Sequence, residues 1–193
     1  LNLPMLDGLR IHGFARHQEA HEGLSARVDA SDAFVFVTPE YNHAPPAPLI
    51  NAIDYLNAEW AYKPVGFVSY GGVSGCTRSA AILKQIVSVL KMVPLAEMVN
   101  LPFVSQFVQD GEFDPNKVTE DAATTMLDSL VRWSAALETL RLELQQQPAA
   151  DPGRMRTIAP LVCVIAERRG YSETFTRTQD ATYVPPRRTT GLR

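Results

Sequence analysis

Two short stretches carry the residue types that could do chemistry. In the first, Thr38-Pro39-Glu40-Tyr41-Asn42-His43, an acid, a phenol ring, a carboxamide and an imidazole stand on successive positions. In the second, Ser69-Tyr70-Gly71-Gly72, a hydroxyl and a second phenol precede a pair of glycines. Together they suit a flat, partly polar ligand. Tyr41 and Tyr70 offer aromatic faces for stacking. Asn42 supplies two donors and an acceptor. Gly71 and Gly72 lack a Cβ, so backbone N–H groups there can approach a ring edge closely. By themselves these features suggest a cofactor site without defining one, because glycine-rich turns after strands are common.

Other chemical residues read more plainly. His17 and His21 stand at i, i+4 on one helix face, a metal-ligand spacing, but Gln18 follows the first histidine where a zinc-protease helix has Glu. They read as a solvated face. His43 reads as an exposed loop histidine, and Glu40 as a carboxylate fixing its own loop through backbone N–H groups rather than as an acid or base. Cys76 and Cys163 form no CxxC pair, so no zinc or thioredoxin-type motif is present, and the redox setting is that of a reduced cytosol.

The two stretches must be positioned by the elements around them. Apolar spacing predicts a helix over 17–30. Ala33 to Thr38 is a short β-branched and aromatic run, the mark of a buried strand. Prolines 39, 45 and 46 stop it and suit entry to a helix carrying Leu49, Ile50, Ile53 and Leu56. Val65 to Ser69 is a second buried strand. Ala80 to Met92 is a helix with a wide apolar face of Ile82, Leu83, Ile86, Val87, Val89 and Leu90. Ala96 to Phe103 is a strand near a sheet edge, ended by Pro102. A long helix opens near Asp114 and runs to about Gln145, with Val118, Ala122, Met126, Leu130, Trp133, Leu137 and Leu140 on its core face. Strands alternating with helices define an α/β class with a parallel sheet. Both chemical stretches then fall at carboxyl ends of strands, where open parallel sheets bind ligands.

The chain has 193 residues and a formal net charge of −3, which argues against a nucleic-acid surface as partner. No apolar run reaches the roughly 18 residues of a membrane span, and no signal peptide is expected. A cytoplasmic location is expected. From Gln145 the composition turns to a Pro/Ala/Gln linker and an arginine- and proline-rich tail. The expected organisation is one domain over 1–144 and a linker with a largely disordered tail over 145–193, broken by one strand at Leu161 to Ala166.

Thr38 to His43 with Pro46 and the helix Leu49 to Leu56, then Lys63-Pro64-Val65-Gly66-Phe67-Val68-Ser69-Tyr70-Gly71-Gly72, resemble the signature of NADPH-dependent FMN reductases, relatives of the quinone, chromate and azo reductases. Asn100-Leu101-Pro102-Phe103 and the helix through Trp133 extend the resemblance over residues 1–141. It implies a flavodoxin-like three-layer α/β/α fold and two redox partners, FMN and NAD(P)H. Hydride would pass through the flavin to a small-molecule electron acceptor such as a quinone or free flavin. By resemblance, Pro39, Glu40, Tyr41 and Asn42 lie along the isoalloxazine, Ser69, Tyr70, Gly71 and Gly72 meet its other side or its pyrimidine edge, and Arg78 attracts the phosphates of NADPH. The resemblance further implies a homodimer or a dimer of dimers, with the Leu49–Leu56 helix near the partner subunit, and no nucleic-acid or membrane partner.

One part of the pattern is expected to be missing. The family opens with a strand, a Gly-Ser-x-Arg loop and a helix whose N-terminus holds the FMN phosphate. Leu1 to Asp7 resembles the segment after the family's second strand. Three readings follow: a chain incomplete at its N-terminus, a flavin-free dimerising remnant, or a tail strand Leu161–Ala166 filling the central slot, with Glu167 to Glu173 where the phosphate loop belongs. An acidic one-electron carrier fits less well with a charge of −3.

Overall fold

A computed structural model describes residues 3–6, 18–146, 162–168 and 171–176. The elements run α1 (Gln18–Ala30), β1 (Ala33–Thr38), α2 (Ala47–Asp54), β2 (Pro64–Gly71), α3 (Thr77–Val89), β3 (Val93–Pro102), a small hairpin of β4 (Val108–Gln109) and β5 (Glu112–Phe113), α4 (Lys117–Gln146), β6 (Val162–Arg168) and β7 (Tyr171–Thr176). Short 3-10 turns at Ala58–Trp60 and Val104–Phe107 fill two connections.

The main sheet has the order β3-β2-β1-β6-β7. Strands β1, β2, β3 and β6 are parallel, and β7 returns antiparallel along β6. β3 is an edge strand, as Pro102 predicts. The apolar run of β1 alternates between two cores, as a strand covered on both faces must. Phe34 and Phe36 enter the cluster with Leu24 and Val28 of α1, Leu49 and Ile53 of α2, and Leu83 and Val87 of α3. Ala33 and Val35 enter the cluster with Met126 and Leu130 of α4. This is the expected three-layer α/β/α arrangement.

Polar ties set the helices on the sheet. The buried Lys63 ammonium donates to Val28 O at 2.7 Å and Asp29 O at 3.2 Å, so it caps carbonyls in the last turn of α1. Arg141 of α4 reaches Tyr62 O and Asp32 at the entrance to β1. A Cβ on Gly66 would stand 2.7 Å from Met126 Sδ, so this glycine lets α4 settle close on β2. Residues 3–6 are pinned on α2, where Asn51 Nδ2 and Tyr55 OH both donate to Pro4 O and Leu6 N donates to Asn51 Oδ1.

The core face expected of α4 is too wide. Met126, Leu130 and Leu137 are buried, but Trp133 is 45 % exposed, Leu140 40 % and Val118 77 %. A 30-residue helix is about 45 Å long, more than twice the length of a six-residue strand, so its ends and flanks overhang the sheet. Ile82 and Val89 of α3 are likewise exposed.

The position beside β1 is taken by β6. Ala33 pairs with Val162 and Val37 with Ala166, in parallel register. The tail therefore contributes two strands, β6 and β7, where little structure was expected, and the expected Leu161–Ala166 strand is set at Val162–Arg168. α4 runs on through Gln146 into the start of the expected linker, and the remainder of the linker, the rest of the tail and His17 lie outside the described residues.

Candidate flavin site at the carboxyl ends of β1 and β2

β1 and β2 run side by side, with Thr38 opposite Ser69 at their carboxyl ends. The loops that follow therefore emerge together. Thr38 is fully buried, and its Oγ1 lies 2.8 Å from Pro39 O and 3.1 Å from Ser79 Oγ in the first turn of α3. After the half-buried Glu40 the chain closes a two-residue turn. Tyr41 N donates to Ala44 O and Ala44 N to Tyr41 O, both at 3.0 Å. The central residues have positive φ, 51° at Asn42 and 68° at His43, the pattern of a type I′ turn. Asn is among the residues that tolerate this conformation best. The turn presents Tyr41 with 57 % exposure.

The second loop is built on buried polar contacts. Ser69 Oγ donates to Gly75 O at 2.6 Å and stands 2.9 Å from Asn100 Oδ1 on β3. Gly72 O accepts from Gly75 N at 3.0 Å and Phe103 N at 3.1 Å. The two glycines do different work. A Cβ at Gly72 would meet nothing within 4 Å, so Gly72 faces open space. A Cβ at Gly71 would run into Cys76 Sγ, so Gly71 makes room for a packed thiol. Tyr70 packs against the core cluster beneath α4. Successive strand residues face opposite sides of a sheet, which sets Tyr70 apart from Ser69.

Glu40 joins the two loops. Its Oε1 accepts from Arg78 Nε at 2.7 Å, and Arg78 forms an ion pair with the same oxygen. Its Oε2 accepts from Ser79 N at 3.3 Å. Arg78 also donates to Ser74 Oγ at 3.1 Å in the second loop. The Arg78 guanidinium bonded to Glu40 holds that carboxyl below its usual range, so it is ionised at neutral pH. Burial, helped by the Glu40 charge, pushes the Cys76 thiol up, so it is protonated at neutral pH and a poor nucleophile.

Residues 39–42 after β1, Ser69 to Gly72 at the end of β2 and Arg78 in the first turn of α3, expected to share a site, thus stand at one end of the sheet, with Tyr70 turned to the side of α4. Thr38, Ser74, Ser79 and Asn100 support those loops, a role that nothing in the sequence marks. Serines in a first helical turn are common, and nothing in their spacing marks these. Among the described residues no group of three or more His, Cys, Asp or Glu could hold a metal.

The sequence pattern of the family described as NADPH-dependent FMN reductase matches residues 1–106, more than half of the chain. The chain belongs to this family. It is 38 % identical over 109 residues to an NAD(P)H-dependent FMN reductase of Schizosaccharomyces pombe, covering 56 % of this chain and 54 % of that protein. It is 34 % identical over 129 residues to an NAD(P)H:quinone oxidoreductase of Solanum tuberosum, covering 64 % of this chain and 63 % of that protein. The chain thus spans between about half and two thirds of these two relatives. In fold it resembles FerB, a flavoenzyme NAD(P)H:(acceptor) oxidoreductase from Paracoccus denitrificans, with a TM-score of 0.53 and 23 % identity over 72 % of this chain and 76 % of that one.

The residues of this FMN reductase-family chain fit the ring of a flavin. Among the described residues Gly72 borders open space, Tyr41 is exposed, and Asn42 and His43 form a type I′ turn at the same end of the sheet. Among the described residues no helix is long and apolar enough to cross a membrane.

Proposed function

We propose that the chain binds FMN at the loops after β1 and β2 and acts as an NAD(P)H-dependent flavin oxidoreductase with a small acceptor, a quinone or free flavin. The observation that carries this reading is the meeting of two ligand-type stretches, 39–42 and 69–72, at the carboxyl ends of adjacent parallel strands, with Glu40 tied through Arg78 to Ser74 in the loop after β2. A bound flavin supplies the hydride chemistry, and the protein supplies position and electrostatics.

The residues have distinct tasks in this reading. Tyr41 covers apolar ring surface and Asn42 meets polar edges. The Gly72 backbone comes close because no Cβ intervenes. Ser69 and Asn100 hold the second loop in shape. No side chain serves as a nucleophile, in keeping with the protonated Cys76. The working form is a cytoplasmic homodimer or dimer of dimers, a proposal that rests on the family resemblance.

The test is a fluorescence titration of residues 1–193 with FMN, followed by NAD(P)H oxidation with a benzoquinone. Saturable quenching at low micromolar FMN and flavin-dependent turnover are expected. A folded, soluble, colourless dimer that leaves FMN fluorescence unchanged would instead identify a flavin-free dimerising module.

A further inference from the structure

Helix α3 begins without a cap of its own. Its N-cap residue, Cys76, sits in the left-handed region at φ 60° and makes no side-chain cap bond. The first-turn N–H of Ser79 is met instead by Glu40 Oε2, from a loop 39 residues earlier. An ionised carboxylate at a helix N-terminus is favoured both by the free N–H groups and by the helix dipole. The same carboxylate, with only 6 % of its side chain exposed, binds Arg78 through its other oxygen, and Arg78 extends to Ser74. One acid thus links the turn after β1, the first turn of α3 and the loop after β2.

We propose that Glu40 and Arg78 form a clasp that positions both flavin loops as one body, so that Arg78 acts on the flavin through Glu40 and not by touching a ligand phosphate. The proposal rests on the flavin reading above. The guanidinium geometry carries it: Nε and one terminal nitrogen are committed to Glu40 and Ser74. An arginine held in this way is a brace between loops. The residues assigned to the ring adjoin the brace, and the type I′ turn at Asn42 and His43 carries the loop's shape outward from Glu40.

The clasp and a phosphate contact differ in three measurable ways. Binding is read by flavin fluorescence quenching with FMN and with riboflavin, which has the same ring and no phosphate. With the clasp, Arg78→Ala weakens both flavins by the same factor, about tenfold. Glu40→Ala does the same, and the double variant is no weaker than either single variant, because both remove one unit. Arg78→Lys, which keeps one donor for Glu40, recovers part of the loss. In the ligand-free protein, amide exchange at Ser79 is slow and becomes fast in Glu40→Ala, while Glu40→Gln, which keeps an acceptor, remains partly protected.

Unchanged binding of both flavins with Arg78→Ala, as a contact to the phosphates of NADPH predicts, a loss confined to FMN, or losses that multiply in the double variant, would overturn the clasp while leaving the flavin reading intact. Fast Ser79 exchange in the wild-type chain would overturn it directly, with or without flavin binding. A wild-type chain with a protected Ser79 that quenches neither flavin overturns the flavin reading, and with it the clasp's role in positioning flavin.

Discussion

The strongest test of the loop packing is Gly71→Ala combined with Cys76→Ala. Gly71 is the last residue of β2 and is not among the positive-φ residues, so its backbone accepts an L side chain. The obstacle is one atom. The added methyl overlaps Cys76 Sγ, while the next nearest atoms, Cys76 Cβ and N, lie at 3.8 and 3.9 Å, in ordinary contact. Cys76 is only 4 % exposed, so its sulfur has packed surroundings to move into. Overpacking of this kind costs about 1–3 kcal/mol. Replacing a strand glycine recovers about 0.5–1 kcal/mol of chain entropy. The net loss in Gly71→Ala is then about 1–2 kcal/mol. Cys76→Ala alone, which leaves a small void, loses about 1 kcal/mol. The double variant keeps the entropy gain without the clash and ends within about 1 kcal/mol of wild type, a coupling equal to the relieved clash, about 1–3 kcal/mol. Urea unfolding reads this as a midpoint shift of roughly 0.5 M per kcal/mol at unchanged m. Strictly additive losses, or a Gly71→Ala variant as stable as wild type, would refute the packing of Gly71 on the thiol.

The two tryptophans separate just as clearly. Trp60 is fully buried, 5.0 Å from the Phe34 ring centroid, and donates Nε1–H to Ile53 O at 3.1 Å, so Trp60→Ala should cost about 3–5 kcal/mol in thermal or urea unfolding. Trp133 is 45 % exposed, and Trp133→Ala should cost less than about 1 kcal/mol in the monomer. Lys63→Met should lose about 2–3 kcal/mol and fray the last turn of α1 in amide exchange, because Val28 O and Asp29 O lose a charged donor. The Glu40 carboxyl is lowered on folding, so its contribution is complete above the unfolded carboxyl value and is lost as pH falls through the folded one. The stability gap between wild type and Glu40→Gln should therefore be flat from pH 6 to 8 and close below about pH 4.

Much of the fold is legible in the sequence because it rests on local chemistry. The run Ala33 to Val37 is apolar on both parities, and the structure buries it between two helical layers. Pro46 marks the entry to α2, and Pro102 ends the edge strand. Helical periodicity fixes which side of α4 faces inward but not how far the sheet extends beneath it, so Trp133 and Leu140 read as core and are exposed. Tyr70 offers an aromatic face in the sequence as Tyr41 does, and the two-residue period of β2 sets it on the side opposite Ser69, where it packs on the cluster beneath α4. The link between Glu40 and Arg78 spans 38 residues and depends on how β1 and α3 meet. No spacing rule in a single sequence reaches that far.

The pairing of Ala33 with Val162 has a consequence for biogenesis. The partners lie about 130 residues apart, so this is among the most non-local contacts in the chain and the latest to reward the loop closure it requires. At roughly 5–20 residues per second, β1 leaves the ribosome some 6–26 s before β6 exists. During that interval β6 is not there to pair the edge of β1 that it covers in the structure, while β2 and β3 can already close the other side. A nascent chain in this condition is open to pairing with a second copy through that edge. Yield in a cell should therefore respond to chaperone supply and synthesis rate more than the stability of the finished domain would suggest.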